Sequence, residues 1–359
     1  MTMRPLLFLS LFAGGALMSA QAPQTMVQTD LRSHGWNADR GVLKGSWLPS
    51  TIDFADDGSL WVVFPNAGPQ TLQTRSSTGY AGKVLHIGSD GDVVQECDTP
   101  SLSWSFVRLF AQSAGFTLKA DEKLISYDSR CKQRGTYSID DRTEIRPSPD
   151  RSSVYTRTRD NHVRVLNGES LASVRELEVP QSIGRSQILF GDRIVAYPVT
   201  TPTKACRQSQ LMKMDVATGQ TSPWETIECA RFNLLGDDHI VYSDSGGDAP
   251  LRITGGSATY NPPHDTHMDL SVLDGQSVAS PASLRVAEEL IETKGRHPSL
   301  DMSGRFVGRS IVLVDMHTGT ALLTVKVPMD SLTYAYALSR DGKKFAVLLN
   351  SQLTIYRVP

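Results

Sequence analysis

The sequence has 359 residues, and its 36 Lys and Arg nearly balance its 38 Asp and Glu. This balance argues against a general electrostatic attraction to nucleic acid or to acidic membranes, so we predict no nucleic-acid partner. Hydrophobic residues make up 40% and charged residues 21%, which is typical of a folded globular protein and not of a disordered chain.

Residues 1–22 have the layout of a secretory signal peptide. Arg4 precedes an apolar run from Leu6 to Met18, and small residues follow up to Ala22. The run is shorter than the ~20 apolar residues that span a bilayer. We therefore predict removal of this segment on export and a mature chain in the periplasm or outside the cell, with a retained membrane anchor as the alternative. Nothing later in the sequence predicts a transmembrane segment.

The remaining chain, about 335 residues, exceeds the ~250–300 residues at which a single hydrophobic core stops growing. Either two domains or a repeat of small cores satisfies this limit. Internal repeats in the sequence favour a repeat of small cores. We therefore assign residues 23–40 to an N-terminal lead segment and residues 41–359 to a single β-propeller.

One hairpin pattern recurs four times. In its clearest copy, from Ile311 to Val327, apolar and polar residues alternate as in a half-buried strand, and Thr318-Gly319 supplies the turn. The other copies start at Lys83, Val163 and Leu211, with turns at Asp90-Gly91, Asn167-Gly168 and Thr218-Gly219.

A second signal, a turn followed by an apolar strand, recurs at intervals of about 47 residues, the period expected for propeller blades of four strands. The intervals 58–121 and 238–304 are long, which predicts insertions or one extra hairpin in those blades. The pattern predicts an all-β propeller without helices, with seven four-stranded blades; six or eight are the alternatives. The seven marks are Asp57-Gly58, Asp121, Asp150, Asp192, Asp238, Gly304 and Asp341-Gly342.

The last repeat, which starts at Tyr334, supplies only three strands before Pro359. A missing fourth strand would leave an open sheet edge, which is an aggregation hazard. We predict that an N-terminal strand closes the ring, and the segment from Gly41 to Leu48 is our candidate.

Two D-x-x-T-G hairpins, at Asp215 to Gly219 and Asp315 to Gly319, and the segment "ALSRDGKKFAVLL" from Ala337 carry a family resemblance. The chain resembles bacterial secreted β-propellers of the YVTN, WD-repeat-like and quinoprotein-dehydrogenase-like superfamily. The resemblance implies an architecture and no particular activity.

Four cysteines in an exported chain predict two disulfides. A hairpin brings Cys206 and Cys229 close together, which makes this pair our first choice among the three pairings. We place Cys131 between the second and third strands of its blade, where it would reach Cys97 on the same face. Four free thiols are the alternative.

Motifs for catalysis, metal or cofactor binding are missing: the sequence has no C-x-x-C, H-E-x-x-H or G-x-S-x-G. We therefore predict no catalytic residue, no metal and no cofactor. The Gly- and Pro-rich stretch from Asp244 to His297 predicts an extended loop over the ring. We propose His264, Asp265, His267 and His297 as ligand contacts there. Metal binding by these residues and plain solvation are the alternatives.

Two further groups of side chains have a structural and a functional interpretation. A series of arginines favours a solvated strand face, with docking of an acidic glycan or of carboxylates as the alternative. Three tryptophans favour core or rim positions, with sugar stacking as the alternative. The arginines are Arg142, Arg146, Arg151, Arg157, Arg159 and Arg164, and the tryptophans are Trp61, Trp104 and Trp224.

Together these features predict an exported, monomeric, non-enzymatic binding module that presents loops on one propeller face. Its partner would be an envelope or extracellular protein or a glycan. The alternative is an extracellular enzyme on the same scaffold, either a saccharide or peptide hydrolase or lyase, or, by resemblance, a quinoprotein-like oxidoreductase. Inward carboxylates, His and Arg around a central channel would favour the enzyme.

Overall fold

The computed structural model describes residues 23–36, 51–65, 81–100, 102, 107–112, 114–120, 122–140, 143–148, 150–158, 162–179, 188–199, 208–228, 230–244, 250–263, 266–268, 279–280, 282–293, 306–328 and 334–359. These residues form β-strands arranged as seven antiparallel sheets, with one short 3-10 helix at Leu31–His34. Each sheet is one blade of a propeller, which confirms the predicted fold.

Blades 1 to 5 are four-stranded sheets whose strands follow one another in chain order. Blade 1 contains β2 (Ile52–Phe54), β3 (Leu60–Pro65), β4 (Gly82–Ile87) and β5 (Val93–Asp98). Blade 2 contains β6 (Arg108–Gln112), β7 (Gly115–Ala120), β8 (Lys123–Asp128) and β9 (Gln133–Ser138). Blade 3 contains β10 (Glu144–Pro147), β11 (Ser153–Arg157), β12 (His162–Asn167) and β13 (Ser173–Glu178). Blade 4 contains β14 (Leu189–Phe190), β15 (Ile194–Pro198), β16 (Gln208–Asp215) and β17 (Thr221–Glu228). Blade 5 contains β18 (Ala230–Leu235), β19 (His239–Asp244), β20 (Leu251–Ile253) and β21 (Thr259–Tyr260).

Blades 6 and 7 depart from this scheme. In blade 6 the position of the first strand is divided, because two short strands pair with different ends of the second strand. Blade 7 has three consecutive strands, and its fourth comes from the N-terminal part of the chain. Blade 6 contains β22 (Thr266–Met268), β23 (Ala279–Ser280), β24 (Arg285–Thr293), β25 (Phe306–Asp315) and β26 (Thr320–Val327). Blade 7 contains β27 (Tyr334–Leu338), β28 (Lys344–Leu349), β29 (Gln352–Arg357) and β1 (Gln24–Asp30).

The D-x-x-T-G hairpins form for a local reason. In blade 4 the carboxylate of Asp215 accepts hydrogen bonds from the backbone N–H of Thr218 at 2.7 Å and from its hydroxyl at 2.8 Å. Gly219 follows with φ 73°, a left-handed conformation that favours glycine. The third and fourth strands therefore turn tightly, as the sequence predicts.

Seven separate hydrophobic cores lie between neighbouring blades, one in each interface. We call each interface a seam. Seam 7/1 joins the last blade to the first, with Ala346 and Leu348 packed in one cluster with Ile52 and Leu85. The ring is therefore closed, and its many small cores explain how one domain exceeds the usual size of a single core.

Ring closure uses a different N-terminal segment from the one we predicted. β1 pairs antiparallel with β29, from Gln24 opposite Arg357 to Asp30 opposite Gln352. It lies within residues 23–40, which we had assigned to a lead segment. The segment from Gly41 to Leu48, our candidate for this role, lies outside the described residues, as do residues 1–22.

Two of the seven predicted turns precede a different strand of the blade from the one that the regular spacing implies. Asp121 precedes β8 and Gly304 precedes β25, which are third strands, whereas the other five marks precede second strands. Both errors fall in the two long intervals. In blade 1 the extra length lies between β3 and β4, and in blade 6 it lies between the two pieces of the first strand.

Besides the hydrophobic cores of the seams, neighbouring blades share a contact that recurs at the outer edge of the ring. The turn between the third and fourth strands of one blade packs against the fourth strand of the preceding blade. Glycine permits this approach, because an added Cβ would collide with the neighbour at three of the four sites described. The pairs are Gly91 with Val27, Gly135 with Ser170, Gly319 with Thr259 and, in looser contact, Gly219 with Leu177.

In seam 1/2 the same contact is covalent. Cys97 at the outer strand of blade 1 and Cys131 in the β8–β9 turn of blade 2 form a disulfide with their Cα atoms 5.8 Å apart. The pairing agrees with our prediction, but the position of Cys131 does not. It lies between the third and fourth strands and not between the second and third, because the bridge joins outer edges.

Candidate functional site

The turns between first and second strands, which we call the axial turns, are built by short polar motifs. In blades 3 and 7 the motif is Ser-x-Asp: Ser148 and Ser339 each donate a hydroxyl hydrogen bond of 2.6 Å, to Asp150 and Asp341 respectively. Each serine oxygen also accepts a backbone N–H at 2.9 Å from the start of the next strand. Side-chain bonds of this kind fix the turn and leave its other polar groups available.

The axial turns of distant blades meet at the centre of the ring. Arg340 in blade 7 donates from Nη2 to the Asp192 carboxylate of blade 4 at 3.4 Å, and its Nη1 lies 3.9 Å from the Asp56 carboxylate of blade 1. Blades 4 and 7 are three blades apart in a seven-blade ring. This contact therefore crosses the region of the propeller axis.

A buried ion pair also connects two blades that are not neighbours in the ring. Arg151 of blade 3 donates to the Asp53 carboxylate of blade 1 at 2.8 Å, and the backbone N–H of Ala111 in blade 2 donates to its other oxygen at 2.9 Å. The Asp53 side chain is 0% exposed and that of Arg151 is 9% exposed. Three consecutive blades are thus held by one carboxylate.

Neighbouring axial turns are linked in series. The backbone N–H of Asp150 donates to the Asp192 carboxylate at 2.6 Å, and the backbone N–H of Asp192 donates to the Asp237 carboxylate at 2.7 Å. The Tyr155 hydroxyl also donates to the Asp192 carbonyl at 3.1 Å. We call the whole group the axial cluster. Its members are Asp53, Asp56, Asp150, Arg151, Asp192, Asp237 and Arg340.

The carboxyl groups of the axial cluster have divergent pKa values. Burial raises the pKa of Asp53 to about 6, although Arg151 opposes this shift. Burial also raises the pKa of Asp56, against Arg340, and the pKa of Asp192, with the Asp150 charge adding to the effect. For Asp150 burial acts in the same direction, but hydrogen bonds from Ser148 and Ser152 lower its pKa overall.

This arrangement presents fixed charges and holds most of its carboxylates in structural hydrogen bonds. The side chains of Arg340 and Asp56 are the partly open members, 44% and 36% exposed. Among the residues that the structure describes, no group of three or more His, Cys, Asp or Glu side chains is placed to hold a metal ion. The cluster is therefore suited to contact a partner through pre-positioned polar groups.

Of the four predicted ligand residues, the structure describes only the backbone position of His267. His267 lies in β22, in the first-strand position of blade 6, opposite Ile291 of β24. His264, Asp265 and His297 lie outside the described residues, and the assignment of all four to a ligand stays a prediction.

The prediction of an extended loop over the ring is wrong for the described part of this stretch. Residues 250–263 and 266–268 contain β20, β21 and β22, and residues 279–280 and 282–293 contain β23 and β24. The Gly and Pro residues there belong to short strands and their turns, which sequence composition does not distinguish from a long loop.

The arginine series does not form one surface. Arg151 enters the axial cluster, Arg157 is buried, and Arg164 donates to the Tyr137 hydroxyl at 3.1 Å. Arg142 and Arg159 lie outside the described residues. The series is therefore divided among separate environments.

The tryptophans that the structure describes have core positions. Trp61 is buried in seam 1/2, stacked on His86 with ring centroids 4.1 Å apart, and Trp224 packs against the core of seam 4/5. Trp104, Cys206 and Cys229 lie outside the described residues.

Sequence reasoning marked Asp150 and Asp192 only as turn residues and missed Asp53 and Arg340. The available signal was the recurrence of aspartate at equivalent turns of successive repeats. The axial turns of all blades surround the axis of the ring, so aspartates that recur in these turns are candidates for a shared site.

No helix in the described part of the chain combines the length and apolar character needed to cross a membrane.

No family model matches the chain, and no curated protein matches it. Among solved structures, the C-terminal WD40 domain of Sif2 matches with 9% sequence identity and a TM-score of 0.46, over 95% of this chain and 99% of that chain. The propeller fold itself rests on the strand order and the seven seams.

Proposed function

We propose that this protein is an exported interaction module whose docking surface is the face formed by the axial turns. It binds a protein or glycan partner and performs no chemistry on it. The propeller provides a rigid frame, and the axial turns of several blades contribute to one surface, as binding residues on loops of a rigid scaffold commonly do.

The observation that carries this proposal is the position of Arg340. Its guanidinium lies over the axial region, close to Asp192 and Asp56 from two other blades, and is still 44% exposed. Arginine held in place by neighbouring groups loses little conformational entropy when it binds, and arginine is enriched at the energetic centres of interfaces.

The N-terminal pattern of residues 1–22 supports export, and a disulfide between Cys97 and Cys131 is compatible with an oxidising compartment. Mass analysis of the protein recovered from the cell envelope would test this part. We expect a mature N-terminus near Pro23, directly before β1. An intact Met1 in the recovered protein would contradict export by cleavage.

The docking surface is tested by pull-down of the tagged mature chain from the envelope fraction of its source cells, followed by affinity measurement with the partner recovered. Arg340→Ala should weaken binding at least tenfold, the range for a central arginine. Arg134→Ala is the matched control, because Arg134 is 36% exposed, forms an ion pair with Glu169 and lies at the outer edge of the ring. Equal affinity of both variants, with intact folding, would refute the axial face as the docking surface.

The enzyme alternative has one observation in its favour. Carboxyl groups with pKa values shifted in opposite directions, here Asp150 and Asp192, are a feature of acid–base catalysis. Both carboxylates, however, accept hydrogen bonds that hold axial turns together, from Ser148 to Asp150 and from Asp150 N–H to Asp192. Hydrolysis of a saccharide or peptide panel that is lost in Asp192→Asn, with the fold intact, would favour the enzyme.

A further inference from the structure

The seam between blades 2 and 3 contains a polar interior. Gln112 is 2% exposed, Thr117 is 0% exposed and Ser126 is 1% exposed. Thr117 and Ser126 are directly opposite each other on β7 and β8. Side chains of directly opposed residues lie on one face with Cβ atoms about 5 Å apart, so these groups border one small region.

The side-chain hydrogen bonds in this region are long. Gln112 Nε2 donates to Thr117 Oγ1 at 3.4 Å, and Thr117 Oγ1 donates to the Gly168 carbonyl of blade 3 at 3.5 Å. Both distances lie beyond the usual range of about 2.7–3.2 Å. Polar contacts of this length are commonly completed by a water molecule.

Two buried polar atoms here have no partner among the described residues: Gln112 Oε1 and Ser126 Oγ. A buried polar group without a partner costs about 1–3 kcal/mol, and native proteins rarely leave two together unless something else binds them. Both atoms accept hydrogen bonds, and the serine hydroxyl also donates one. Their chemistry therefore matches a ligand that donates two hydrogen bonds and accepts others.

We propose that seam 2/3 is a hydration site, in which an ordered internal water bridges Gln112 Oε1 and Ser126 Oγ. The water donates one hydrogen bond to each atom and accepts from the Thr117 hydroxyl, whose contact with Gly168 is long. Buried waters typically make about three hydrogen bonds of this kind. The site borders Gly168 in the β12–β13 turn of blade 3. A Cβ added to Gly168 would meet Gln112 Oε1 at 2.7 Å and the Arg151 carbonyl oxygen at 2.9 Å, so the site lies beside the axial cluster.

A high-resolution crystal structure of the mature chain tests the site directly, because it would show an ordered water that bridges protein polar groups. We expect density for one water within hydrogen-bond distance of both Gln112 Oε1 and Ser126 Oγ. Ser148 serves as the control, because it is also buried and its hydroxyl already bonds Asp150 and the Ser153 N–H. A dry region, or side chains rotated to bond protein atoms instead, would overturn the proposal.

A double-mutant cycle, measured by urea denaturation, tests the bridging water independently of the crystal structure. If one water bridges both atoms, Gln112→Met and Ser126→Ala each lower the unfolding midpoint, and the double variant lowers it by less than the two effects combined. If the atoms are simply unpaired, each replacement removes a buried polar group and raises the midpoint, which would contradict the proposal. The control cycle pairs Gln112→Met with Ser339→Ala in blade 7 and should be additive.

Discussion

Seams 1/2 and 2/3 lie on opposite sides of the same blade and are built in different ways. In seam 1/2, Trp61 packs against Phe116 with ring centroids 4.7 Å apart, and the Cys97–Cys131 disulfide fastens the outer edge. In seam 2/3, Thr117 and Ser126 occupy buried positions, and the outer edge is a noncovalent contact of Gly135 with Ser170.

The difference shows that a propeller needs the same contact geometry at each seam but not the same chemistry. Both seams place a β-turn of one blade on the outer strand of the blade before it. Seam 1/2 adds stacked aromatic rings and a cross-link to its apolar core, whereas seam 2/3 adds close backbone approach and buried polar groups to an apolar core that contains Phe110. We therefore expect seam 1/2 to respond mainly to loss of volume and seam 2/3 mainly to added volume.

The largest effect is expected for Trp61→Ala. The indole is 1% exposed and touches both Phe116 and His86, so its removal loses buried apolar area and leaves a cavity. We expect the free energy of unfolding to fall by about 3–5 kcal/mol, measured by urea denaturation. Thr117→Ala in seam 2/3 removes far less volume and serves as the comparison; an equal loss in both variants would contradict the distinction between the seams.

Removal of the cross-link is the next test. Cys97→Ala combined with Cys131→Ala should lower the free energy of unfolding by about 3–4 kcal/mol, because the bridge closes a loop with a sequence separation of 34 residues. Differential scanning calorimetry under oxidising conditions compares this variant with the parent. An unchanged unfolding temperature would mean that the apolar core of seam 1/2 suffices without the disulfide.

Gly135→Ala tests the tight approach in seam 2/3. A Cβ at Gly135 would collide with the backbone oxygen of Ser170, which has little freedom to move. We expect a loss of about 1–3 kcal/mol in urea denaturation, typical of overpacking. Gly308→Ala is the matched control on β25, because the added Cβ there meets the flexible end of the Glu292 side chain. Equal small effects would show that the β12–β13 turn moves freely.

The most gradual effect concerns pH and the carboxylate that connects blades 1, 2 and 3. Because burial raises the pKa of Asp53 to about 6 in the folded state, the native protein holds this proton more tightly than the unfolded chain does. The stability contributed by Asp53 is therefore greatest at low pH, falls as the pH rises through about 6, and is constant above. The slope is at most about 1.4 kcal/mol per pH unit.

The difference in unfolding free energy between the parent and Asp53→Asn isolates this contribution, since other groups titrate alike in both. Urea denaturation at several pH values from about 4 to 7 should show the parent losing stability relative to the variant over this range. A difference that is independent of pH would indicate a pKa near the ordinary value for aspartate.

Much of the fold could be predicted, because its determinants are local. The Thr218-Gly219 and Thr318-Gly319 turns and the alternation around them specify hairpins without reference to the rest of the chain, and all four predicted hairpins are present. Regular spacing then gave the number of blades. The errors at Asp121 and Gly304 arose where an insertion disturbed the spacing, so that a third strand was taken for a second.

The candidate site could not be predicted in the same way, because it depends on which turns meet in space. Nothing local distinguishes Arg340 from other exposed arginines, or Asp53 from an ordinary strand residue. Their roles follow from ring geometry, which brings Arg151 to Asp53 of β2 and brings Arg340 to Asp192 of blade 4. The loop prediction relied on a long interval between turns and on composition, which together did not separate a long loop from the short strands β20 to β23.

The pairing of β1 with β29 has a consequence for how the protein is made. Asp30 lies opposite Gln352, so one blade joins two strands that are far apart in the sequence. Blade 7 cannot be completed until β29 has been synthesised. The entropy of closing so long a loop grows only slowly with its length, but contacts this distant in sequence slow the rate of folding. The ring is therefore expected to stay open until β29 has been synthesised and has paired with β1.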